Sequence, residues 1–512
     1  MGASIRRILT MVLLGACIVS GPHHPSLGDD AKVDQGTAWR SLQQQIVAVT
    51  AQAEAALVSI ARVVPSREVP FPADYDPFVP ADAESGGFVV DGFGSGVILK
   101  VEESSRLLIL TNHHVVTGRV GVPDAEADRI YIRTVGGHTL LATLHAYDPR
   151  SDLAVLTADL KEVNAEVLKI VPPKLGDGDA IQKGQMLLVL GNSLGLARDG
   201  SCSVAWGLAS GFQRRPGARE DRSPIESGKT IHELGTLLQL DLRISPGMSG
   251  GAVLNLEGEL VGLTTSLADL LGDPAASGFA IPTTAGIRRV IETLLRGEEV
   301  EYGFLGIDPD RGYPEDLRPA RPFVTQGTAA RVGRVAHNSP AFRAGLLEGD
   351  QVYAVGERTI LDPDALIREI GLLGPAAVAT LRVFRPRTRK FLTIEVTLGK
   401  WPVYDDRQIV ATGLRQEPWR GVQVDYATGR FRYLPDSFLS VYPQGVVVTR
   451  VEPGSPAALA GLRVGTAITR VAGAEVNSPF EFAQRTRALV DEVEVQLRTD
   501  ERLMIPPVSA LN

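Results

Sequence analysis

Three short segments carry the side chains that nucleophilic catalysis needs. In chain order they are Leu110-Thr111-Asn112-His113-His114-Val115-Val116, where an apolar run leads into a histidine pair; Asp148-Pro149-Arg150-Ser151-Asp152-Leu153-Ala154-Val155; and Ser245-Pro246-Gly247-Met248-Ser249-Gly250-Gly251. Each alone is a weak signal. Together they offer an imidazole, a carboxylate and a hydroxyl in the order His114, Asp152, Ser249, which is one of three convergent orders for acyl transfer and differs from the other two. A serine hydroxyl is a poor nucleophile, so an imidazole must take its proton during attack and return it to the leaving amine. A carboxylate must hold the ring in the right tautomer and stabilise the imidazolium. Gly247, Gly250 and Gly251 allow a sharp turn around Ser249, so that the amides of Gly247 and Ser249 point together at the oxyanion of an attacked carbonyl. One such donor is worth about 3 kcal/mol in comparable sites.

The elements that must position these groups read as mainly β. From 92 to 282, short apolar runs alternate with Gly, Asp and Asn punctuation, at 96–101, 107–110, 130–134, 153–156, 186–190, 237–240, 252–254 and 260–264, a spacing that implies a barrel or sandwich. Ahead of them, 37–53 has helical composition and 56–64 is a β-branched run that predicts a first strand. The stretch 65–91 holds Pro65, Pro70, Pro72, Pro77 and Pro80 and predicts an unusually long loop. An amphipathic helix at 285–295 closes this part of the chain.

Length and composition agree. A chain of 512 residues is too long for one core and predicts about three domains. Its 53 glycines and 33 prolines suit turn-dense β structure, and 44% hydrophobic with 22% charged residues disfavours long disordered tails and a polytopic membrane protein. The net charge of −8 argues against nucleic acid or anionic lipid as general partners. Of two cysteines, Cys17 lies in a segment (1–21) laid out as a signal peptide: Arg6 and Arg7, an apolar run shorter than the ~20 residues of a membrane span, then Ser20, Gly21 and Pro22. Leu14-Gly15-Ala16-Cys17 fits a lipobox, which would make Cys17 a lipid anchor, and equally an ordinary cleaved signal. Cys202 has no catalytic motif around it and reads as buried packing.

The last part of the chain repeats. Arg334, Val335, Ser339, Pro340, Ala341, Ala344, Gly345, Leu346, Gly349 and Val355 recur at one constant offset as Arg450, Val451, Ser455, Pro456, Ala457, Ala460, Gly461, Leu462, Gly465 and Val471. The register continues into Asp362-Pro363 and Ser478-Pro479, each a polar cap with a first-turn proline. Such a repeat implies two homologous modules.

With these motifs in place, the chain resembles the HtrA/Deg family of serine proteases with two PDZ modules over about 40–500. Gly92-Phe93-Gly94-Ser95-Gly96-Val97-Ile98, Leu190-Gly191-Asn192-Ser193-Leu194-Gly195 and Gly278-Phe279-Ala280-Ile281-Pro282 support the likeness. The resemblance implies a chymotrypsin-like double β-barrel at 55–297 after a polar, helical segment (22–54), then PDZ modules at 298–400 and 415–502. It implies His114 as base, Asp152 as its orienter and Ser249 as nucleophile, with Gly247 and Ser249 forming the oxyanion hole. By the same likeness Ile244, Ser245, Leu267 and Ala268 wall the primary pocket; all are uncharged, so cleavage is expected after small or medium aliphatic residues. Phe304, Leu305, Gly306 and Ile307 resemble a carboxylate-binding loop for peptide C-termini, with Leu366 on the following helix. In the second module Trp419-Arg420-Gly421-Val422 replaces that loop and Thr466 replaces Asp350, which suits assembly more than ligand capture.

The implied activity is ATP-independent cleavage of unfolded polypeptides in the periplasm or cell envelope by a homo-oligomer, a trimer or a multiple of trimers. Neither a cofactor nor a metal is expected. Two positions depart from the family: His113 where it has Ala, which strand alternation would turn to the opposite face, and Met248 where it has Asn. Met248 motivates a second expectation, a non-catalytic chaperone or scaffold on the same domains. Arg382, Arg385, Arg387, Arg389 and Lys390 predict a solvated hairpin.

Overall fold

The structure is a computed structural model. It describes residues 35–65, 77–78, 88–103, 105–117, 129–160, 170–193, 197, 199–215, 230–245, 247–266, 278–321, 324–405, 409–413, 417–438 and 440–508. The expected signal segment with Cys17, most of the proline-rich loop, Leu267 and Ala268 lie outside the described residues. The chain divides into two units, Met1–Gln45 and Ile46–Asn512. The first contributes the leading turns of a helix, α1 (Gln35–Glu54), and the remaining elements belong to the second.

Six strands close a first antiparallel barrel: β1 (Leu57–Pro65), β2 (Phe88–Val101), β3 (Arg106–Asn112), β4 (Arg129–Thr134), β5 (Thr139–Asp148) and β6 (Leu153–Asp159), in the order β5-β4-β1-β2-β3-β6 with β6 returning to β5. A short helix, α2 (His113–Thr117), leaves the end of β3. The chain then builds a second closed barrel. Its strands are β7 (Met186–Gly191), β8 (Ser203–Arg214), β9 (Leu237–Leu240), β10 (Ala252–Leu254), β11 (Leu260–Thr265) and β12 (Gly278–Pro282), ordered β10-β11-β12-β9-β8-β7. The expected double barrel is thus present. Strand β3 shows why the barrels associate. Leu107 and Ile109 fill the first barrel, while Leu108 and Leu110 join an apolar seam with Leu188, Leu190 and Leu254 of the second. Val49 and Ala53 of α1, and Ile287, Val290 and Leu294 of α3 (Ala285–Leu295), complete that seam. Both helices bury an apolar stripe there, which is the main force that forms them.

Three differences from the sequence expectations have physical reasons. The loop expected to run to Asp91 ends earlier, because β1 continues to Pro65 and pairs with Phe88 of β2. Strands β5 and β8 lack a clear sequence signal; Leu140-Leu141 and the glycines of β8 blur the alternation that marks a half-buried strand. The basic hairpin exists, but Arg385 is not simply solvated: its guanidinium holds the buried Asp350 carboxylate at 2.7 and 2.8 Å.

The repeat reappears as two sheets of matching order. The first module contains β13 (Gly303–Phe304), β14 (Ile307–Arg311), β15 (Ala330–Val335), α4 (Pro340–Arg343), β16 (Gln351–Val355), β17 (Arg358–Thr359), α5 (Pro363–Leu373), β18 (Val378–Arg385), β19 (Lys390–Thr397) and β20 (Gly399–Lys400). A short strand, β21 (Val410–Ala411), comes next. The second module contains β22 (Val422–Tyr426), β23 (Val446–Val451), α6 (Pro456–Leu459), β24 (Ala467–Val471), β25 (Ala474–Glu475), α7 (Pro479–Thr486), β26 (Val493–Leu497) and β27 (Arg502–Ile505). The repeated caps act as caps. Ser339 and Ser455 accept the amides of Phe342 and Ala458, and Asp362 and Ser478 accept those of Ala365 and Glu481.

Strand β21 does not belong to either module. It adds to β5 of the first barrel, Val410 opposite Tyr147 and Ala411 opposite Ala146, along the edge left free where β4 has ended. Lys400, in β20, is fully buried and its Nζ meets Glu299 at 2.7 Å, Glu301 at 2.8 Å and Asp425 at 2.9 Å. Arg430 closes the cluster on Glu299 and Asp425 at 2.5 and 3.0 Å. Burial alone lowers the Lys400 pKa, but the three carboxylates outweigh it and raise it above the ordinary lysine value. Removing one partner of such a cluster strands the other charges in a dry place, so Lys400→Met is expected to cost about 3–5 kcal/mol in urea unfolding. A loss below about 1 kcal/mol would show that the junction contributes little.

Candidate active site

The histidine pair sits where a strand ends and a helix begins. Asn112 is the last residue of β3, and His113 and His114 open α2. Strand alternation is expected to separate the two rings; the roughly 100° step of a helix does so instead. His113 buries its ring edge-on against Tyr147, with centroids 4.7 Å apart, and its Nε2 has no hydrogen-bond partner. Burial pulls its pKa below the usual histidine value, against the pull of Asp152 and Asp148.

Asp152 closes the turn from β5 to β6. It adopts φ 53°, a left-handed conformation that costs a non-glycine residue about 1 kcal/mol or more. Its carbonyl is held by the His113 amide at 3.0 Å and by Asn112 Nδ2 at 3.1 Å. Its carboxylate accepts His114 Nδ1–H at 2.8 and 3.0 Å, the His114 amide at 3.0 Å and the Thr265 hydroxyl at 3.3 Å. Burial pushes this carboxyl up, but the His114 ring and these hydrogen bonds prevail and hold it below the usual carboxylate range. The Nδ1–H bond leaves His114 Nε2 as an acceptor, 3.5 Å from Ser266 Oγ.

Behind Asp152 the same turn is packed with polar groups. Asp148 accepts the Ser151 amide at 3.0 Å, the Ser151 hydroxyl at 2.6 Å and the Tyr302 hydroxyl. Burial and Asp148 raise the Tyr302 pKa well above its ordinary value, so the phenol stays a donor. His232, fully buried, donates Nε2–H to the Ser151 carbonyl at 2.9 Å and accepts the Thr236 hydroxyl at 2.5 Å. Burial lowers its pKa too.

Ser249 comes from the second barrel, on the loop ahead of β10. Gly247 and Gly250 take φ 86° and 84°. A Cβ at Gly250 would strike the Ser95 carbonyl and the Thr111 hydroxyl, so the glycines are required as expected. Ser95 ties this loop down: its amide donates to Ser249 O at 2.8 Å and its hydroxyl to Gly247 O at 2.8 Å. Among the described residues neither the Gly247 nor the Ser249 amide donates to a protein acceptor. Met248 is buried in the core of the second barrel with Leu187, Val253 and Val261. Ser249 Oγ donates to Ser266 Oγ at 2.7 Å and accepts the Ser266 amide at 3.0 Å.

Of the expected pocket residues, Ile244 is half-buried beside the Met248 cluster, and the Ser245 carbonyl accepts the Met248 amide at 3.1 Å; Leu267 and Ala268 lie outside the described residues. Phe304, Leu305, Gly306 and Ile307 line a cavity of about 190 Å³ with Leu366 and Ile370 of α5. Trp401, Pro402, Tyr404 and Phe438, from outside the first module, also line it. Sequence reasoning does not single out Thr265, Ser266, His232 or Tyr302 in these roles; a hydroxyl on a strand carries no spacing signal. Cys202 is a free, partly buried thiol beside Glu54, pushed up to about 12 by burial and that carboxylate, which makes it inert as a nucleophile.

The trypsin-like peptidase domain family matches residues 94–263. A probable periplasmic serine endoprotease, DegP-like, of Pseudomonas fulva is 30% identical over 412 residues, covering 79% of this chain and 76% of its own length. Its counterpart in Brucella suis is 28% identical over 420 residues, with 80% and 74% covered. Among solved structures, the HtrA-type protease AlgW with a decapeptide is 25% identical, covers 69% of this chain and 98% of its own, and has a TM-score of 0.47.

The buried histidines give the fold a pH dependence. The ordinary value is 6.5 and both folded-state values lie below it, so below pH 6.5 the unfolded chain binds protons that the folded chain refuses. Their contribution is complete above pH 6.5 and is lost as pH falls toward the folded values. His113→Phe keeps the edge contact with Tyr147 and removes one such group. It is expected to reduce the acid-side slope of unfolding free energy by up to about 1.4 kcal/mol per pH unit. An unchanged slope in urea titrations from about pH 7.5 to about pH 5, a span that brackets the ordinary histidine value, would overturn it.

Proposed function

The chain belongs to the HtrA/DegP family of serine endoproteases, and on that premise we propose that Ser249 is its nucleophile, His114 the general base and Asp152 the residue that orients the base. The observation that carries this reading is the His114 Nδ1–H held by both Asp152 oxygens at 2.8 and 3.0 Å, with Ser249 of the other barrel one hydroxyl away, through Ser266. As Oγ of Ser249 bonds to a peptide carbonyl carbon, its proton passes to His114 Nε2 and the carbonyl oxygen takes the Gly247 and Ser249 amides. When the C–N bond breaks, His114 returns the proton to the leaving amine. Water then repeats both steps on the acyl-enzyme. Asp152, held ionised by its donors, offsets the charge that the ring carries in each half-reaction.

The protein is a serine endopeptidase that acts on polypeptides, exported to the periplasm as its relatives' names describe theirs. Within that activity we assign unfolded chains as substrates and aliphatic residues at the cleaved position; the uncharged Ile244 and Ser245 beside Ser249 support the preference. The segments 298–400 and 415–502 are taken as PDZ modules, the first binding peptide C-termini in the cavity beside Phe304 to Ile307, and the assembly as a trimer or its multiple. For the second module an assembly role is supported by its own loop. Trp419 packs edge-on against Phe482, and the Arg420 guanidinium is tied to the carbonyls of Ile505, Leu489 and Asp491 at 2.5–2.9 Å.

A fluorophosphonate is expected to label the wild type and not Ser249→Ala, and Asp152→Asn to lower kcat on an unfolded protein roughly 10⁴-fold. No labelling of the wild type at any pH sinks the triad, and a cleavage profile dominated by Lys or Arg sinks the aliphatic pocket. For the first module, a peptide with an apolar C-terminus and free carboxylate should bind about tenfold tighter than its amidated form. Equal affinities by calorimetry would remove the carboxylate loop.

A further inference from the structure

Ser266, the residue after β11, stands between the nucleophile and the base, and we infer that it is a latch that holds Ser249 away from His114 until substrate arrives. The inference rests on the triad reading above. Ser249 Oγ donates its proton to Ser266 Oγ at 2.7 Å and accepts the Ser266 amide at 3.0 Å. Ser266 Oγ in turn reaches His114 Nε2 at 3.5 Å, whereas no hydrogen bond joins Ser249 Oγ to His114 among the described residues. The acceptor nitrogen of the base therefore faces the wrong hydroxyl.

Two routes lead from this arrangement to attack. In a relay, the Ser249 proton goes to Ser266 Oγ while the Ser266 proton goes to His114. That requires two simultaneous transfers, the second across 3.5 Å, beyond the roughly 3.2 Å reach of an effective base. In a release, Ser249 rotates about one side-chain bond from one staggered well to another and gives its proton directly to Nε2. The release costs two hydrogen bonds and no covalent rearrangement, and the geometry points to it. The neighbouring hydroxyl shows that the end of β11 is used residue by residue: Thr265 serves Asp152 at 3.3 Å, and Ser266 serves Ser249. Ser266 is thus a positioning residue. It keeps the substrate-free nucleophile idle, and an extended polypeptide that takes the Ser266 amide removes half of the latch.

The test is the second-order rate of labelling by a small fluorophosphonate, in which the Ser249 Oγ–P bond forms, P–F breaks, the proton goes to His114 and fluoride leaves. The full chain is compared as wild type, Ser266→Ala, Ser266→Gly, Ser266→Thr and Ser249→Ala across pH. Loss of the side-chain hydrogen bond should make the Ala and Gly variants about five- to tenfold faster, with the midpoint of the pH profile unmoved, while Thr, which keeps the hydroxyl, stays within about twofold of wild type. A merely structural role predicts slower labelling in both. An unchanged or lower rate in Ala and Gly, whatever their melting temperatures, overturns the latch, and a lower rate restored by Thr establishes the relay in its place. Absence of labelling in the wild type itself would instead count against the triad.

Discussion

The turn from Asp148 to Asp152 is the constraint on which the site depends. It places two carboxylates in the interior, and each buried charge would cost several kcal/mol if left without donors. Asp148 is met by Ser151 and Tyr302, Asp152 by His114 and Thr265, and the carbonyls of Ser151 and Asp152 by His232, Asn112 and the His113 amide. These donors come from both barrels and from the chain beyond α3. The left-handed Asp152 persists only because so many partners determine it at once. One consequence is that Asp152 holds the His114 ring in place before substrate binds, so that in the proposed mechanism the Ser249 hydroxyl is the group that has to turn.

The same turn is where the rest of the chain attaches. Arg150 lies between the rings of Tyr302 and Trp401, 5.3 and 5.6 Å from their centroids, and donates to the Pro402 carbonyl. The Trp401 amide donates to Tyr302 O at 2.7 Å, β21 extends β5, and the Thr412 hydroxyl meets His145 Nδ1 at 2.9 Å. Trp401 and Pro402 also line the cavity in the first module. Groove and turn therefore touch directly, through Arg150 against Trp401 and the Pro402 carbonyl. A ligand in the groove acts on the turn only to the extent that it binds two positions of Trp401 unequally, which is the limit on any such coupling.

Much of this is legible in the sequence, and for definable reasons. Glycines with positive φ, apolar runs of strand length, proline after a polar cap and the order His114, Asp152, Ser249 are local signals, and the barrels, the repeated caps and the loop around Ser249 obey them. Interactions between distant segments are not legible. Nothing in Val410-Ala411 marks it as a strand of a barrel that begins more than three hundred residues earlier, roughly two domain lengths away. Nor does Lys400 announce that three acids surround it, or Ser266 that it will face the nucleophile. Tyr302 adjoins a peptide-binding motif in sequence, yet its hydroxyl serves Asp148 in the protease domain. A side chain at a boundary between domains has two environments, and pattern shows only the one that is near in sequence.

The two departures from the family pattern become consistent once burial is taken into account. Met248 adds apolar volume to the core of the second barrel, so the loop it occupies is held from below. His113 raises a sharper question, because a second cation beside Asp152 would compete with His114 for the same carboxylate. Burial answers it. Desolvation lowers the pKa of His113 against Tyr147, and burial does the same for His232, whose two ring nitrogens are already engaged. Three imidazoles thus lie near one carboxylate, but only the His114 ring hydrogen-bonds to it. The proposal of His114 as base therefore draws on burial of the other two rings as well as on geometry at the first.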